Sequence, residues 1–144
     1  MSPFWRRRED PVAADVGRGF VATEAPAMQA ALRSALHVGE GKGTPILADV
    51  AFGQGSGERV VVQWRNRYVG FVPSSHRADL RGQLASAGRA PLVAEGLVYW
   101  DGEWWRIWVG PVPDHGPPPV GPGYDELEPP PPTIFGVPLP RRDR

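Results

Sequence analysis

The chain contains no cysteine among its 144 residues. That excludes a disulfide scaffold, a Cys-ligated zinc site, an iron–sulfur cluster and a thiol nucleophile. Lysine is nearly absent: of 16 basic residues, only Lys42 is not arginine. Long apolar runs are missing, and none approaches the roughly 18 residues of a membrane span. The start of the chain carries Arg6, Arg7 and Arg8 without the apolar stretch that makes a signal peptide. A cytoplasmic protein that does not enter a membrane is the expectation. Metal-ligand spacing is lacking too, because no pair among His37, His76 and His115 stands at i, i+4. His76 follows Ser74 and Ser75, but serine is the expected cap of a helix start. Asp101 and Glu103 flank a turn and form no acid/base pair of recognisable spacing. Gly39–Thr44 (GEGKGT) lacks the full spacing of a phosphate loop and follows a helix rather than a strand. The reading is a non-enzyme with no cofactor and no metal.

What is present is glycine and proline, 18 of each, and the proline is unevenly placed. Twelve prolines lie between Pro111 and Pro140. Runs such as Pro117–Pro119 and Pro129–Pro132 favour polyproline II and sustain neither sheet nor helix. Three regions follow: a basic disordered arm at 1–15, a packed domain at 16–110 and an acidic, Pro-rich tail at 111–144, largely disordered. Within the tail, Thr133–Val137 is an apolar island. The formal net charge of zero hides segregation. Residues 59–89 hold six arginines against Asp79 alone, whereas 111–140 hold Asp114, Asp125, Glu126 and Glu128 and no base.

Periodicity gives the elements of the domain. Arg18–Ala22 reads as a short strand. Thr23 reads as the cap of a helix whose stripe is Met28, Leu32 and Leu36, stopped by Gly39. Ile46–Phe52 and Arg59–Trp64 are strands separated by the flexible Gly53–Gly57 turn. Arg65–Arg67 turns the chain into Tyr68–Val72. A second helix, capped by Ser74 or Ser75, runs to Ala87 with Leu80 and Leu84 inward and Gly88 at its end. Pro91–Trp100 and Glu103–Val109 form a hairpin about Asp101-Gly102, a type I′ turn dipeptide. The fold class is mainly β with two helices (α+β): a small curved sheet or partly open OB-like barrel of about six strands, its ends plugged by the helices.

Arg59–Pro73 (RVVVQWRNRYVGFVP) resembles the centre of the HIRAN domain. The likeness lies in a β-branched strand, a tight turn, the Val69-Gly70 pair and a following helix with a Leu/Ala face. Phe20–Leu36 is similar to the first strand and inserted helix of bacterial members. The resemblance covers about 90 residues. It implies a module that binds single-stranded or end-containing DNA, without the ATPase that often accompanies it. The Asn-Pro-Tyr-Asp-like loop that helps relatives grip a 3′ end is replaced here by Gly53–Glu58.

Single-strand binding needs a basic groove and aromatic platforms. Arg59, Arg65, Arg67, Arg77 and Arg81 are the phosphate candidates, the last two sharing a helix face at i, i+4. Trp64, Tyr68 and Phe71 are the stacking candidates, and each can equally be a core residue. The alternative is a protein-interaction adaptor. Trp100, Trp104, Trp105 and Trp108 crowd one hairpin, so some rings lie outside the main core. Either a protein partner or the Pro-rich tail covers them.

Overall fold

The computed structural model describes residues 9–129, together with the backbone of 133–134 and 137–138. Among the described residues, nine strands and two α-helices run in the order β1 (Val12–Ala13), β2 (Phe20–Val21), α1 (Gln29–Ala35), β3 (Ile46–Gln54), β4 (Val60–Trp64), β5 (Arg67–Phe71), α2 (Ser74–Ala87), β6 (Leu92–Trp100), β7 (Trp105–Val109), β8 (Thr133–Ile134) and β9 (Val137–Pro138). The main sheet has the order β2-β7-β6-β3-β4-β5, all antiparallel, and β1 adds to β6 in parallel. It curls into a half-barrel whose two edges are joined by one bridge. Thr23 N donates to Phe71 O at 2.8 Å, and Phe71 N returns to Thr23 O at 3.1 Å.

Alternation explains the curl. Ala48, Val50 and Phe52 of β3 and Val60, Val62 and Trp64 of β4 all enter the core, as the period of two requires. Two glycines let the backbones close up. A Cβ on Gly96 would stand 2.3 Å from Trp108 O, and one on Gly70 2.9 Å from Ala22 Cβ, at the edge-joining bridge. A bulge between Val62 and Gln63 resets the β4–β5 register, so Val69 is buried while Arg67 and Tyr68 stay outside. Helix α1 packs on β5 and β7, and α2 on β3, β4 and β6.

Several local expectations are corrected. Thr23 caps nothing, because its backbone is spent on the bridge to Phe71. Glu24 takes the left-handed conformation (φ 71°) and opens a 3-10 turn, Ala25–Met28, ahead of α1. That helix ends at Ala35, four residues before Gly39, and Leu36 is already extended. The β4–β5 turn is Arg65-Asn66 alone, with both φ positive (48° and 63°), and Arg67 belongs to the strand. Asp101-Gly102 is no type I′ turn. Trp100 pairs with Trp105, so the loop has four residues, 101–104, with Asp101 Oδ1 accepting from Glu103 N (2.8 Å) and Trp104 N (2.6 Å). Ser74 begins α2 rather than capping it; Pro73 holds the cap position.

The domain also extends past both expected boundaries. Val12 N donates to Pro91 O at 2.7 Å, so ordered pairing begins inside the supposed arm, whose first eight residues lie outside the described ones. The tail up to residue 129 is not loose. Val120 and Tyr124 pack on Val21, Leu97, Tyr99 and Trp108, forming a second apolar cluster on the outer face of the sheet. Beyond residue 129, backbone pairing joins Thr133–Ile134 to Val137–Pro138, within the apolar island. Among the described residues no helix is long and apolar enough to cross a membrane.

Candidate functional site

The bulged β4–β5 hairpin presents arginine and aromatic side chains outward. Tyr68 is 61% exposed, high for a tyrosine with no covering element. Phe71 is half-buried, and the exposed Arg59 lies over its ring, 5.3 Å from guanidinium carbon to ring centroid. These three side chains and Val61 line a cleft of about 430 Å³ floored by Gln54, Gly55 and Ser56. Gly55 N donates to Arg59 O at 2.8 Å, which holds the glycine loop against the strand. Arg67 is exposed on the same hairpin. Arg81 reaches Glu58 at 3.9 Å, but both side chains are largely solvated, and such pairs are worth little.

Two hairpin residues expected at this face serve the fold. Trp64 is 2% exposed, because its position in the β4 alternation points it inward. Arg65 is bound twice to Glu40, Nη1 to Oε1 at 2.5 Å and Nη2 to Oε2 at 2.9 Å. Its Nη1 also donates to Ala35 O at 3.0 Å, and its guanidinium lies 4.3 Å from the Trp64 ring centroid. The Arg65 guanidinium, helped by the His37 backbone N–H, holds the Glu40 carboxyl at about 2, below the ordinary 4.5. Arg65 is thus a brace between hairpin and helix end rather than a phosphate contact.

The tryptophan hairpin divides. Trp105 (4% exposed) belongs to the core, and Trp108 (5%) lies under the tail with Nε1 donating to Gly110 O and Pro111 O. Neither ring is available to a partner. Trp100 and Trp104 are half-buried. Lys42 Nζ sits 3.8 Å above the Trp100 ring. Both rings line a cleft of about 750 Å³ whose opposite wall includes Pro117–Pro119.

The tail is fastened by groups that the sequence reading passed over. Arg106, 4% exposed, donates from Nε to Asp101 Oδ2 (2.6 Å) and from Nη2 to Asp125 Oδ2 (2.9 Å). Glu24 N donates to Asp125 Oδ1 at 2.7 Å, and the Glu24 carboxylate accepts from Glu126 N (2.5 Å) and Leu127 N (2.7 Å). Tyr124 Oη donates to Val21 O. Burial pushes the Tyr124 hydroxyl up, and the Tyr99 hydroxyl to about 12. Burial alone would raise Asp101, but the N–H groups of Trp104 and Glu103 and the Arg106 guanidinium outweigh it and hold the carboxyl low. One signal in the sequence pointed here. An arginine between Trp104 and Trp108 on one strand face needs a buried acid, and Asp125 beside Tyr124 is such an acid.

Arg77 stands apart from the hairpin face. It lines a second, smaller cavity of about 220 Å³ with Arg59, Phe71 and the start of α2. Among the described residues no cluster of three His, Asp or Glu side chains can hold a metal ion. No protein-family model matches the chain, and no curated protein or solved structure matches it either.

Proposed function

We propose that this protein is a non-catalytic, HIRAN-like module that binds single-stranded nucleic acid, DNA in the first instance, along the outer face of the β4–β5 hairpin. The observation that carries the reading is the exposed Tyr68 beside Phe71 and Arg59 over a glycine-floored cleft. An exposed tyrosine among solvated arginines offers a base a stacking surface and its phosphates a counter-charge. Gly55 forms part of the cleft floor, where its lack of a side chain lets it lie against Arg59 and Val61. Arg59, Arg67 and Arg81 take the phosphates, and Tyr68 takes a base, with Phe71 as the second ring.

Fluorescence anisotropy of labelled oligonucleotides at two salt concentrations tests this. Three phosphate contacts predict a slope of about −2 in log K against log salt for a single strand. Tyr68→Ala is expected to weaken binding by about 5- to 150-fold, the range for one stacked base. Absence of binding at low salt would overturn the reading. The adaptor alternative retains one observation, the Trp100–Trp104 cleft walled by prolines. It becomes the better reading if strands do not bind.

A further inference from the structure

The cleft between the 101–104 loop and the proline wall of the tail carries chemistry that strand binding does not use. Among the described residues, the half-buried Trp104 ring packs on no other aromatic ring and carries no cation. The cleft lining holds three carboxylates, Asp101, Glu103 and Asp125, against the one guanidinium of Arg106, a balance of −2 with histidine neutral. Arg106 is spent on Asp101 and Asp125. Glu103 is exposed, and among the described residues it takes part in no ion pair. The chain itself shows what such a ring can hold. Lys42, its one lysine, places Nζ 3.8 Å from the ring centroid of Trp100, the other tryptophan of the cleft. A cation over an indole face is drawn by the ring quadrupole, and tryptophan is the best of the aromatic seats.

We infer that this cleft seats an arginine side chain of a protein partner, its guanidinium stacked on Trp104 and forked onto the Glu103 carboxylate. The inference does not rest on strand binding; it gives the Trp100–Trp104 cleft a ligand of stated chemistry. Charge favours a cation, because a lining of −2 repels phosphates and acidic segments alike. Geometry favours guanidinium over ammonium. Guanidinium is planar and weakly hydrated, stacks on aromatic faces and meets a carboxylate with two parallel N–H bonds, whereas ammonium is a compact, strongly hydrated point charge. Size permits it: about 750 Å³ equals roughly 25 waters, enough for the side chain and the flanking backbone of a short segment. A polyproline ligand fits less well. Pro117–Pro119 of this chain already stand opposite the tryptophans, and an incoming proline would leave Glu103 without a counter-charge.

The test follows the tryptophan indole N–H signals of the full chain by NMR. A capped five-residue peptide with a central arginine among alanines and glycines is titrated in. Companion peptides carry citrulline, lysine or proline at the centre. The Trp104 signal is expected to shift saturably with the arginine peptide. The citrulline peptide, neutral but of similar shape, is expected to bind about tenfold or more weakly. Glu103→Gln is expected to weaken the arginine peptide by a similar factor, as loss of a charge-assisted hydrogen bond does. Trp104→Ala, read from the Glu103 amide, is expected to weaken it by about 2- to 30-fold, the range for a cation on an aromatic face. Glu103 is exposed, so its substitution decides the matter if Trp104→Ala does not fold. Equal binding of the arginine and citrulline peptides, or preference for the proline peptide, overturns the inference. Lysine binding as tightly as arginine overturns the choice of guanidinium. No shift at Trp104 with any peptide overturns the site itself. Without peptide, a Trp104 signal that moves on dilution assigns the seat to a second copy. One that moves when Arg141, Arg142 and Arg144 are replaced by glutamine assigns it to this chain's own terminus. Either overturns the protein partner. None of these outcomes bears on strand binding, which is read with oligonucleotides.

Discussion

Replacing Asp125 by alanine should detach the tail from the barrel. Asp125 is 14% exposed and Arg106 5% by side chain, so their pair is nearly dry. The substitution removes the 2.9 Å bond from Arg106 Nη2 and the 2.7 Å bond from Glu24 N. Removing one partner of a buried pair costs about 3–5 kcal/mol when the other charge is left alone. Arg106 is not left alone, because Asp101 still accepts from Nε at 2.6 Å. The expected loss is therefore lower, about 2–3 kcal/mol. It also has a ceiling: once the loss exceeds the docking free energy of residues 120–127, that segment lifts away and water reaches Arg106. Urea unfolding measures the loss. Hydrogen exchange shows how it arises, with Glu24, Glu126 and Leu127 as reporter amides. They should lose protection together, ahead of the β3–β6 amides. Asp125→Asn keeps an acceptor for Glu24 N and should cost less than the alanine. A loss below about 0.5 kcal/mol with all three amides still protected would refute the argument, since surface changes fall in that range.

The Arg65–Glu40 brace makes stability depend on acid. The Glu40 carboxyl is held at about 2 in the fold against an ordinary 4.5, so the folded state releases the proton more readily than the unfolded one. The pair therefore adds stability above about pH 4.5 and loses it as pH falls toward 2. Glu40→Gln should be less stable than the parent at pH 7, with the gap closing across that window in urea midpoints. Gly96→Ala places a Cβ 2.3 Å from Trp108 O, a backbone atom at the Gly96–Val109 end of the β6–β7 pairing. It should cost more than about 3 kcal/mol or prevent folding, as overpacking against backbone does; a normal thermal transition would contradict this.

The order of strand, helix, three strands, helix and two strands was legible, because each element carries its own period and its own stop. What the sequence misassigned was turn chemistry, decided by distant partners. Thr23 looks like a cap until β5 is present to take its backbone bonds. Asp101-Gly102 looks like a two-residue turn, but Trp100 faces Trp105 and Asp101 binds the loop N–H groups and Arg106 instead. Gln29 was silent in the helical stripe. Its buried amide donates to Ala25 O and Trp105 O and accepts from Trp105 N, tying α1 to the hairpin. Local propensity cannot reveal a bond made 76 residues away.

The functional candidates divide by the same physics. Composition identifies arginine but not its partner. Arg65 and Arg59 lie at opposite ends of one strand-and-turn segment. Arg65 meets the Glu40 carboxylate across 25 residues, whereas Arg59 meets only an aromatic ring and a cavity. Residues 111–140 could have neutralised the basic face, as their charge of −4 suggests. Instead Asp125 is spent on Arg106, on a neighbouring face, and Glu24 holds the tail by its backbone rather than its charges. Gly123, Tyr124 and Glu126 of the tail line the cavity that holds Arg59 and Arg77. Arg59, Arg67 and Arg77 keep their charge uncompensated among the described ion pairs. Arg59 lies beside Tyr68 and Phe71 in one cleft and beside Arg77 in the smaller cavity. An anionic ligand bound at Arg59 would therefore meet an aromatic ring on one side and a second arginine on the other.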